Sequence, residues 1–262
     1  MATLLFAEAK SPAVSAEVLT NSLIVDSKIF MKEDYANQLL KETTENYNLI
    51  AKDFSRTRRF IWDDIRPLAD FTVTGERILD IGCGNGRLLQ VFRDIDVDYT
   101  GVDISEKLIE EAKIHYPNSR FYVYDALRLP LPTNHFDKAY AIAVLHHIPS
   151  RELRIRFLKE AKRVLRQEGL LILTAWNLWS WRGIGLILKN LFLKLIGQSK
   201  LDFRDVMIPW GKTCHRYIHV FTQRELKDLV EEAGFKVKEI GVLGAGKKKN
   251  RNYYVVAEDP TP

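Results

Sequence analysis

The chain has 262 residues, 46% of them hydrophobic and 28% charged, which suits one large α/β domain or one domain with additions and can bury a full core without disulfides or metals. Two distant cysteines, Cys83 and Cys214, form neither a disulfide framework nor a zinc pattern, so no metal is expected and a reducing cytoplasm is the expected compartment. A formal charge of +5, from 39 Lys+Arg against 34 Asp+Glu with a pI of about 9.0, permits a polyanionic partner without requiring one.

Residues 1–30 read as a weakly patterned leader, without the charged start and small-residue cleavage site of a secretory signal. Met31 precedes a good helical pattern, so translation is expected to begin there, and 31–75 is expected to form a helical cap. From residue 76 onward apolar runs alternate with helical segments. Strands are predicted at 77–82, 98–103, 120–124, 136–143, 170–175, 236–242 and 252–257. Helices are predicted at 86–93, 106–115, 150–166 and 223–233, with Ser105 as an N-cap accepting from a first-turn amide. On the helix at 150–166, Leu153, Phe157, Ala161, Val164 and Leu165 share one face, and Gln167-Glu-Gly169 then turns the chain. This alternation predicts a doubly wound, mostly parallel seven-stranded sheet with helices on both faces. An insertion at 177–221 separates the fifth strand from the last helix. Its apolar part, 183–197, contains Lys189 and Lys194 and falls short of the ~20 apolar residues that span a bilayer, so no stable membrane insertion is expected.

The strongest signal is Asp80-Ile-Gly-Cys-Gly-Asn-Gly86, placed after a strand and before a helix. Gly82, Gly84 and Gly86 let the backbone turn tightly and approach a ligand; a plain strand–helix turn is the simpler alternative. Asp103 ends the next strand, where a carboxylate can bind both hydroxyls of a ribose. The spacing G-x-G-x-G differs from the dinucleotide pattern, and Asp80 sits just before it. A pyrophosphate would be repelled by that carboxylate, whereas a sulfonium and an amino group would be attracted. S-adenosylmethionine is therefore the expected cofactor, with Asp125-Ala126 placed to accept from the adenine amino group.

Residues 76–257 resemble the class I S-adenosylmethionine-dependent methyltransferases. That resemblance implies a cofactor site built from Asp80, Gly82, Gly84, Asn85 and Gly86 under the methionine moiety, Asp103 and Ile104 at the ribose, and Asp125 and Ala126 at adenine. It also identifies Asp137-Lys-Ala-Tyr-Ala-Ile-Ala-Val-Leu-His-His147 as the fourth-strand motif lining the transfer site, Ala143 included. Outside that core, Tyr47-Asn-Leu-Ile-Ala-Lys-Asp-Phe-Ser-Arg-Thr-Arg58, the paired His146-His147, Val206-Met-Ile-Pro-Trp210 and Arg216-Tyr-Ile-His219 resemble, in that order, the tRNA methyltransferases that esterify a carboxymethyl group on the wobble uridine. The methyltransferase domain fused to AlkB-like oxygenases belongs with them. The resemblance implies a tRNA acceptor and a small zinc-binding activator protein as partner. The Trp-, Leu- and Lys-rich insertion departs from that pattern.

A carboxylate acceptor is already ionised at pH 7, so no general base is needed and the work is orientation and exclusion of water. An arginine fork holds a carboxylate in register better than a lysine. Arg58 and Arg216 are the candidates for that grip, Arg58 also for the carboxylate of the cofactor; a solvated helix face is the alternative for Arg58. His146 is expected to donate to the acceptor, and His219 is a further catalytic candidate that could equally face the core of a short strand. Trp176 could stack on a base or simply pack under the insertion. Arg151, Arg154, Arg156, Lys159, Lys162, Arg163 and Arg166 crowd one helix, and 247–251 adds a second basic cluster; both fit RNA phosphates or a merely solvated face. Two other readings stay open: a methyltransferase for a small or lipid-like acceptor of the quinone-precursor type, with the insertion as lid or membrane contact, and a non-catalytic S-adenosylmethionine-binding module.

Overall fold

In a computed structural model the described residues are 30–244 and 252–260. The expected leader, apart from Phe30, and the basic cluster at 247–251 lie outside them. The alternating apolar runs become β1 (Arg77–Ile81), β2 (Asp98–Asp103), β3 (Arg120–Val123), β4 (Phe136–Ile142), β5 (Leu165–Trp176), β8 (Lys236–Leu243) and β9 (Asn252–Glu258) of one sheet. Its order is β3-β2-β1-β4-β5-β9-β8. The five strands from β3 to β5 run parallel, and β9 runs antiparallel to β5 and β8. The order therefore reverses between β1 and β4, and in such sheets the crevice beyond the carboxyl ends of the two central strands takes ligands.

Side chains alternate across each strand, and both faces are covered. Leu79, Ile81 and Leu173 point into one core with Phe157 and Leu158 of α3 (Arg151–Val164) and Leu226 and Leu229 of α5 (Gln223–Glu232). Ile78, Tyr140 and Ile172 point into the other, with Ile109 and Ala112 of α2 (Glu106–His115) and with Ile65 and Leu68 of the 3-10 helix Asp63–Phe71. Ser105 caps α2, its oxygen accepting from Leu108 N–H, and Ser150 caps α3 in the same way through Leu153. The cap predicted at 31–75 contains α1 (Glu33–Thr57), tied to α2 where Asn48 Oδ1 accepts from Ser105 Oγ at 2.7 Å.

Two local expectations are corrected. The helix after the glycine turn is a short 3-10 helix, Arg87–Phe92, rather than an α-helix over 86–93. The turn at 167–169 is an irregularity inside β5, because Leu165 already pairs with Phe136 as it leaves α3 and the register shifts before Lys138. Glu168 absorbs the shift with φ of 60°.

The insertion folds as α4 (Trp181–Leu195) and a hairpin of β6 (Asp205–Trp210) and β7 (Cys214–His219). Ile187 of α4 packs on Val206, Ile218 and Val220, while Trp181, Leu188, Phe192 and Leu195 face outward. No helix among the described residues is long and apolar enough to cross a membrane.

Candidate functional site

The glycine turn is drawn over the tip of β2 by two amides, Gly82 N–H and Cys83 N–H, which donate to Val102 O at 2.7 and 3.0 Å. That closeness lets Gly84 N–H donate to Asp103 Oδ2 at 2.9 Å, while Oδ1 accepts from Ser105 N–H at 2.8 Å. The Asp103 carboxylate is thereby fixed on the wall of a cavity at the β1–β4 crevice. Asp80, Gly82, Gly84, Asn85, Ile104, Asp125, Ala126 and Ala143 line the same cavity. Ala143 holds a left-handed φ of 60°, a strained corner secured where its N–H donates to Thr174 O and Oγ1. Gly86 does not reach the cavity. A Cβ there would stand 2.8 Å from Phe121 and 2.9 Å from Tyr116 at φ of 77°, so its glycine answers to packing rather than to the ligand contact expected of it.

Asp80 is buried and accepts from the Tyr99 hydroxyl at 2.6 Å. Burial pushes its carboxyl up to about 7, with Asp103 adding to the rise while the Tyr99 hydrogen bond and Arg87 oppose it. Burial likewise raises Asp103 above the usual carboxylate range. A cation placed against these acids would restore their ionised forms, so this wall fits a positively charged ribonucleoside.

The same cavity is also lined by cationic and aromatic side chains. Arg58, Arg87 and Arg216 all line the cavity, and none has a carboxylate partner among the described residues. Arg87 lies over Trp62 at 4.6 Å and Phe54 at 5.7 Å; Arg58 over Phe54 at 5.1 Å and Trp210 at 4.1 Å; Arg216 over Trp210 at 4.7 Å and Trp176 at 5.2 Å. Guanidinium and aromatic rings thus alternate, each cation resting on π faces. Arg216 is only 6% exposed, and its buried Nε has no partner among the described residues, nor has Arg87 Nη1. Burial lowers Arg58, with Arg216 next in effect, and lowers Arg87 to about 10, with Arg58 next. Unpaired buried charge is costly, and each of these groups gains most from an anion in the cavity. A cavity lined by both buried acids and guanidinium groups suits the mixed charges of an adenosyl amino acid.

Tyr47, Phe54 and Arg58 recur at i, i+7 and i+11 along one face of α1 and its end; the Tyr47–Arg58 motif contained this signal, yet only Arg58 is a candidate by sequence. Asn85 ties that end to the glycine turn, its Nδ2 donating to Ser55 Oγ and Arg58 O, each at 3.3 Å.

The paired histidines separate. They lie in a 3-10 turn, Leu145–His147, whose neighbouring side chains diverge by a third of a turn. His147 lines the cavity; its Nδ1 lies 3.1 Å from Tyr217 O and its Nε2 2.8 Å from Tyr47 Oη. A carbonyl only accepts, so Nδ1 carries the proton and Nε2 accepts from Tyr47. Burial, and next the Arg216 charge, hold His147 down at about 3, so it is neutral. Tyr47, raised by burial, also accepts from Arg216. His146 corrects the expectation of a donor to the acceptor: it is fully buried and off the cavity wall, its ring 4.8 Å from that of Trp176. His219 is corrected too. It sits 3% exposed with Nδ1 2.6 Å from Asp205 Oδ1 and Nε2 2.8 Å from Glu225 Oε1, pinning β7 to β6 and α5. Trp176 lines the cavity.

The basic helix α3 is largely occupied. Arg151 pairs with Glu232, Lys162 with Asp259, and Arg166 with Asp137 at 2.5 Å. Arg154 donates to Ile148 O, Arg156 to Leu127 O, and Arg163 to Leu129 O and Leu131 O. These groups hold the fold together, which leaves little of the expected phosphate-binding face. The apolar helix α4 contributes no side chain to the cavity wall, whereas β7 contributes Arg216, so α4 does not cover the cavity as a lid.

A family model described as a methyltransferase domain matches residues 54–240. The tRNA (carboxymethyluridine(34)-5-O)-methyltransferase of Schizosaccharomyces pombe is 29% identical over 87% of this chain and 99% of its own length. The protein of that name from Saccharomyces cerevisiae is 38% identical over 63% of this chain and 54% of its own. Among solved structures, a SAM-dependent methyltransferase from Methanosarcina mazei superposes with a TM-score of 0.65 at 22% identity, covering 78% of this chain and all of that one. A putative methyltransferase of Haloferax volcanii, solved with the Trm112 methyltransferase activator, gives a TM-score of 0.62 at 14% identity over 84% of this chain and 98% of that one. The matched family, the sheet order and the acid-and-arginine cavity agree: the chain belongs to the methyltransferase domain family and is an S-adenosylmethionine-dependent methyltransferase of the doubly wound α/β class.

Proposed function

We propose that the chain esterifies the carboxymethyl group of a wobble uridine in tRNA. The observation that carries this reading is Arg216: a buried guanidinium without a carboxylate partner among the described residues, standing beside Trp176 and His147 at the carboxyl ends of β5 and β4. Arg58 lies instead at the glycine turn, linked to it through Asn85. Two guanidinium groups without carboxylate partners on one cavity suit two carboxylates, that of the methyl donor at Arg58, linked to the glycine turn, and that of the acceptor at Arg216, beside Trp176. The relatives in the two yeasts carry the matching activity in their names.

When bound, the donor supplies an electrophilic methyl group on a positively charged sulfur. Asp103 and Asp125 accept from the hydroxyl and amino groups of its nucleoside, and Asp80 offers negative charge under its cationic end. Arg216 forks onto the acceptor carboxylate and turns one oxygen toward the methyl carbon. That oxygen, already ionised, would take the methyl group from the donor's sulfur with its own lone pair as the S–C bond broke, leaving no proton for the chain's residues to move. The wall agrees with this economy, since His147 is neutral and committed to Tyr217 O and Tyr47. Aromatic rings on the arginine side keep water away while charge is neutralised, and orientation of this kind is worth roughly 7–11 kcal/mol.

Incubation with labelled donor and bulk RNA, followed by nucleoside analysis, tests the reading. A labelled methyl ester of carboxymethyluridine is expected; label confined to lipid or small-molecule extracts would replace it with a lipid-like acceptor. A small zinc-binding activator is proposed as partner, in keeping with the likeness to a putative methyltransferase solved in complex with a methyltransferase activator. Sizing and activity of the chain alone test that: it is expected to gain activity when the activator is added, and a fully active monomer would exclude the requirement.

A further inference from the structure

Trp210 ends β6 beside the hairpin turn, outside the cavity wall, yet it touches both arginines to which carboxylates are assigned above. Arg58 Cζ lies 4.1 Å and Arg216 Cζ 4.7 Å from its ring. Each has a second ring of its own, Phe54 at 5.1 Å for Arg58 and Trp176 at 5.2 Å for Arg216, but Trp210 is the ring they share. Arg58 Nη1 donates to Thr57 Oγ1 at 2.9 Å, Arg216 meets the Tyr47 hydroxyl, and neither has a carboxylate partner among the described residues. The Arg216 charge also lies close enough to disfavour the charged form of Arg58. Negative charge on an indole face offsets such repulsion and fixes the plane of a guanidinium laid on it. The indole is itself anchored: its Nε1–H donates to Asp53 Oδ2 on α1 at 2.9 Å, and Phe54 stacks on it at 6.1 Å. The Arg56 hydrogen bond, and after it this indole N–H, hold Asp53 below the usual carboxylate range, so it stays an acceptor.

We propose that Trp210 is a positioning residue that presets Arg58 and Arg216 together, so that one ring on the hairpin fixes the grips for two carboxylates, one on the donor and one on the acceptor. The acceptor half rests on the function proposed above. The ring acts through the two arginines and makes the site selective for an acidic acceptor, because both guanidinium planes are set before either anion arrives.

The test compares Trp210→Phe, Trp210→Leu and Asp53→Ala in the full chain. Two quantities are read: the affinity for S-adenosylhomocysteine by calorimetry, and the KM for an anticodon stem-loop carrying carboxymethyluridine. Loss of the π face is worth about tenfold at each grip. Trp210→Leu is expected to weaken product affinity and raise acceptor KM by about that factor each, while Trp210→Phe restores most of both. Asp53→Ala keeps the ring but frees its edge, and about a threefold loss in the same two quantities is expected. A purely packing role predicts that leucine and phenylalanine behave alike. That equality, or unchanged product affinity in both, overturns the proposal. Should Trp210→Leu fail to fold, the Asp53→Ala values decide, with wild-type affinity and KM overturning the proposal. If wild-type protein binds S-adenosylhomocysteine but leaves the stem-loop unmethylated, the acceptor reading and with it the acceptor half fail, and the calorimetric comparison still decides the donor half.

Discussion

At the residue scale the chemistry divides between buried acids and unpaired arginines. Burial pushes the Asp80 carboxyl up to about 7, and a cationic donor favours its ionised form. Donor affinity is therefore expected to rise as pH increases through about 7, with a proton released on binding; calorimetry in buffers of different ionisation enthalpy measures that proton. The same shift bears on stability. The folded carboxyl holds its proton more tightly than an unfolded one, so its contribution is fully present below pH ~4 and is lost as pH rises through about 7. Asp80→Asn keeps an acceptor for Tyr99 but cannot ionise, and it is expected to melt a few degrees higher than wild type at pH 8 while binding the donor more weakly. Arg216→Gln removes the charged fork, for which about a 10²-fold fall in kcat/KM toward a carboxylate acceptor is expected, with Arg216→Lys in between. His147, held neutral by burial and by Arg216, contributes no inflection to the rate between pH 5 and 8. A histidine-like inflection there that vanishes in His147→Gln would contradict the assigned tautomer.

At the scale of elements, the sequence was most legible where one short-range rule governs. Ser105 caps its helix where a hydroxyl before an apolar period places it, and Gly84 of the glycine turn meets Asp103 at the tip of the next strand. Legibility ends where long-range packing decides. Nothing local separates His146 from His147; only the divergence of a 3-10 turn against Trp176 sends one inward. Gly86 is a glycine for Phe121 and Tyr116, from another strand and helix. Arg87 and Trp210 came without any role because their partners, Phe54 and Asp53, sit on α1. His219 is the instructive case, since a polar side chain late in an insertion reads as catalytic until Asp205 and Glu225 close on it. Removing one partner of such a buried network costs about 3–5 kcal/mol. His219→Gln is thus expected to lower the melting temperature markedly, while folded protein at low temperature retains donor affinity; an unchanged melt with lost donor affinity would return His219 to the site.

At the scale of the molecule, the sheet supplies the crevice and the two flanking additions supply its specificity. Strand order reverses between β1 and β4, so the donor's acids gather at one place from three strand ends. The acceptor side proposed above draws on α1 and the β6–β7 hairpin, which meet through Trp210 and Asp53 and through Asn46 Nδ2, a donor to His215 O at 2.8 Å. Arg151, Lys162 and Arg163 of α3 pair with carboxylates of the fold, so charge reversals there are expected to change the salt dependence of tRNA binding less than reversals at the exposed Lys159. The account stands on a cavity for an adenosyl sulfonium, and calorimetric titration with S-adenosylhomocysteine tests it most directly. One-site binding that is lost in Asp103→Ala is the predicted result. Absence of heat with that compound, together with tight uptake of a nicotinamide dinucleotide, would contradict it.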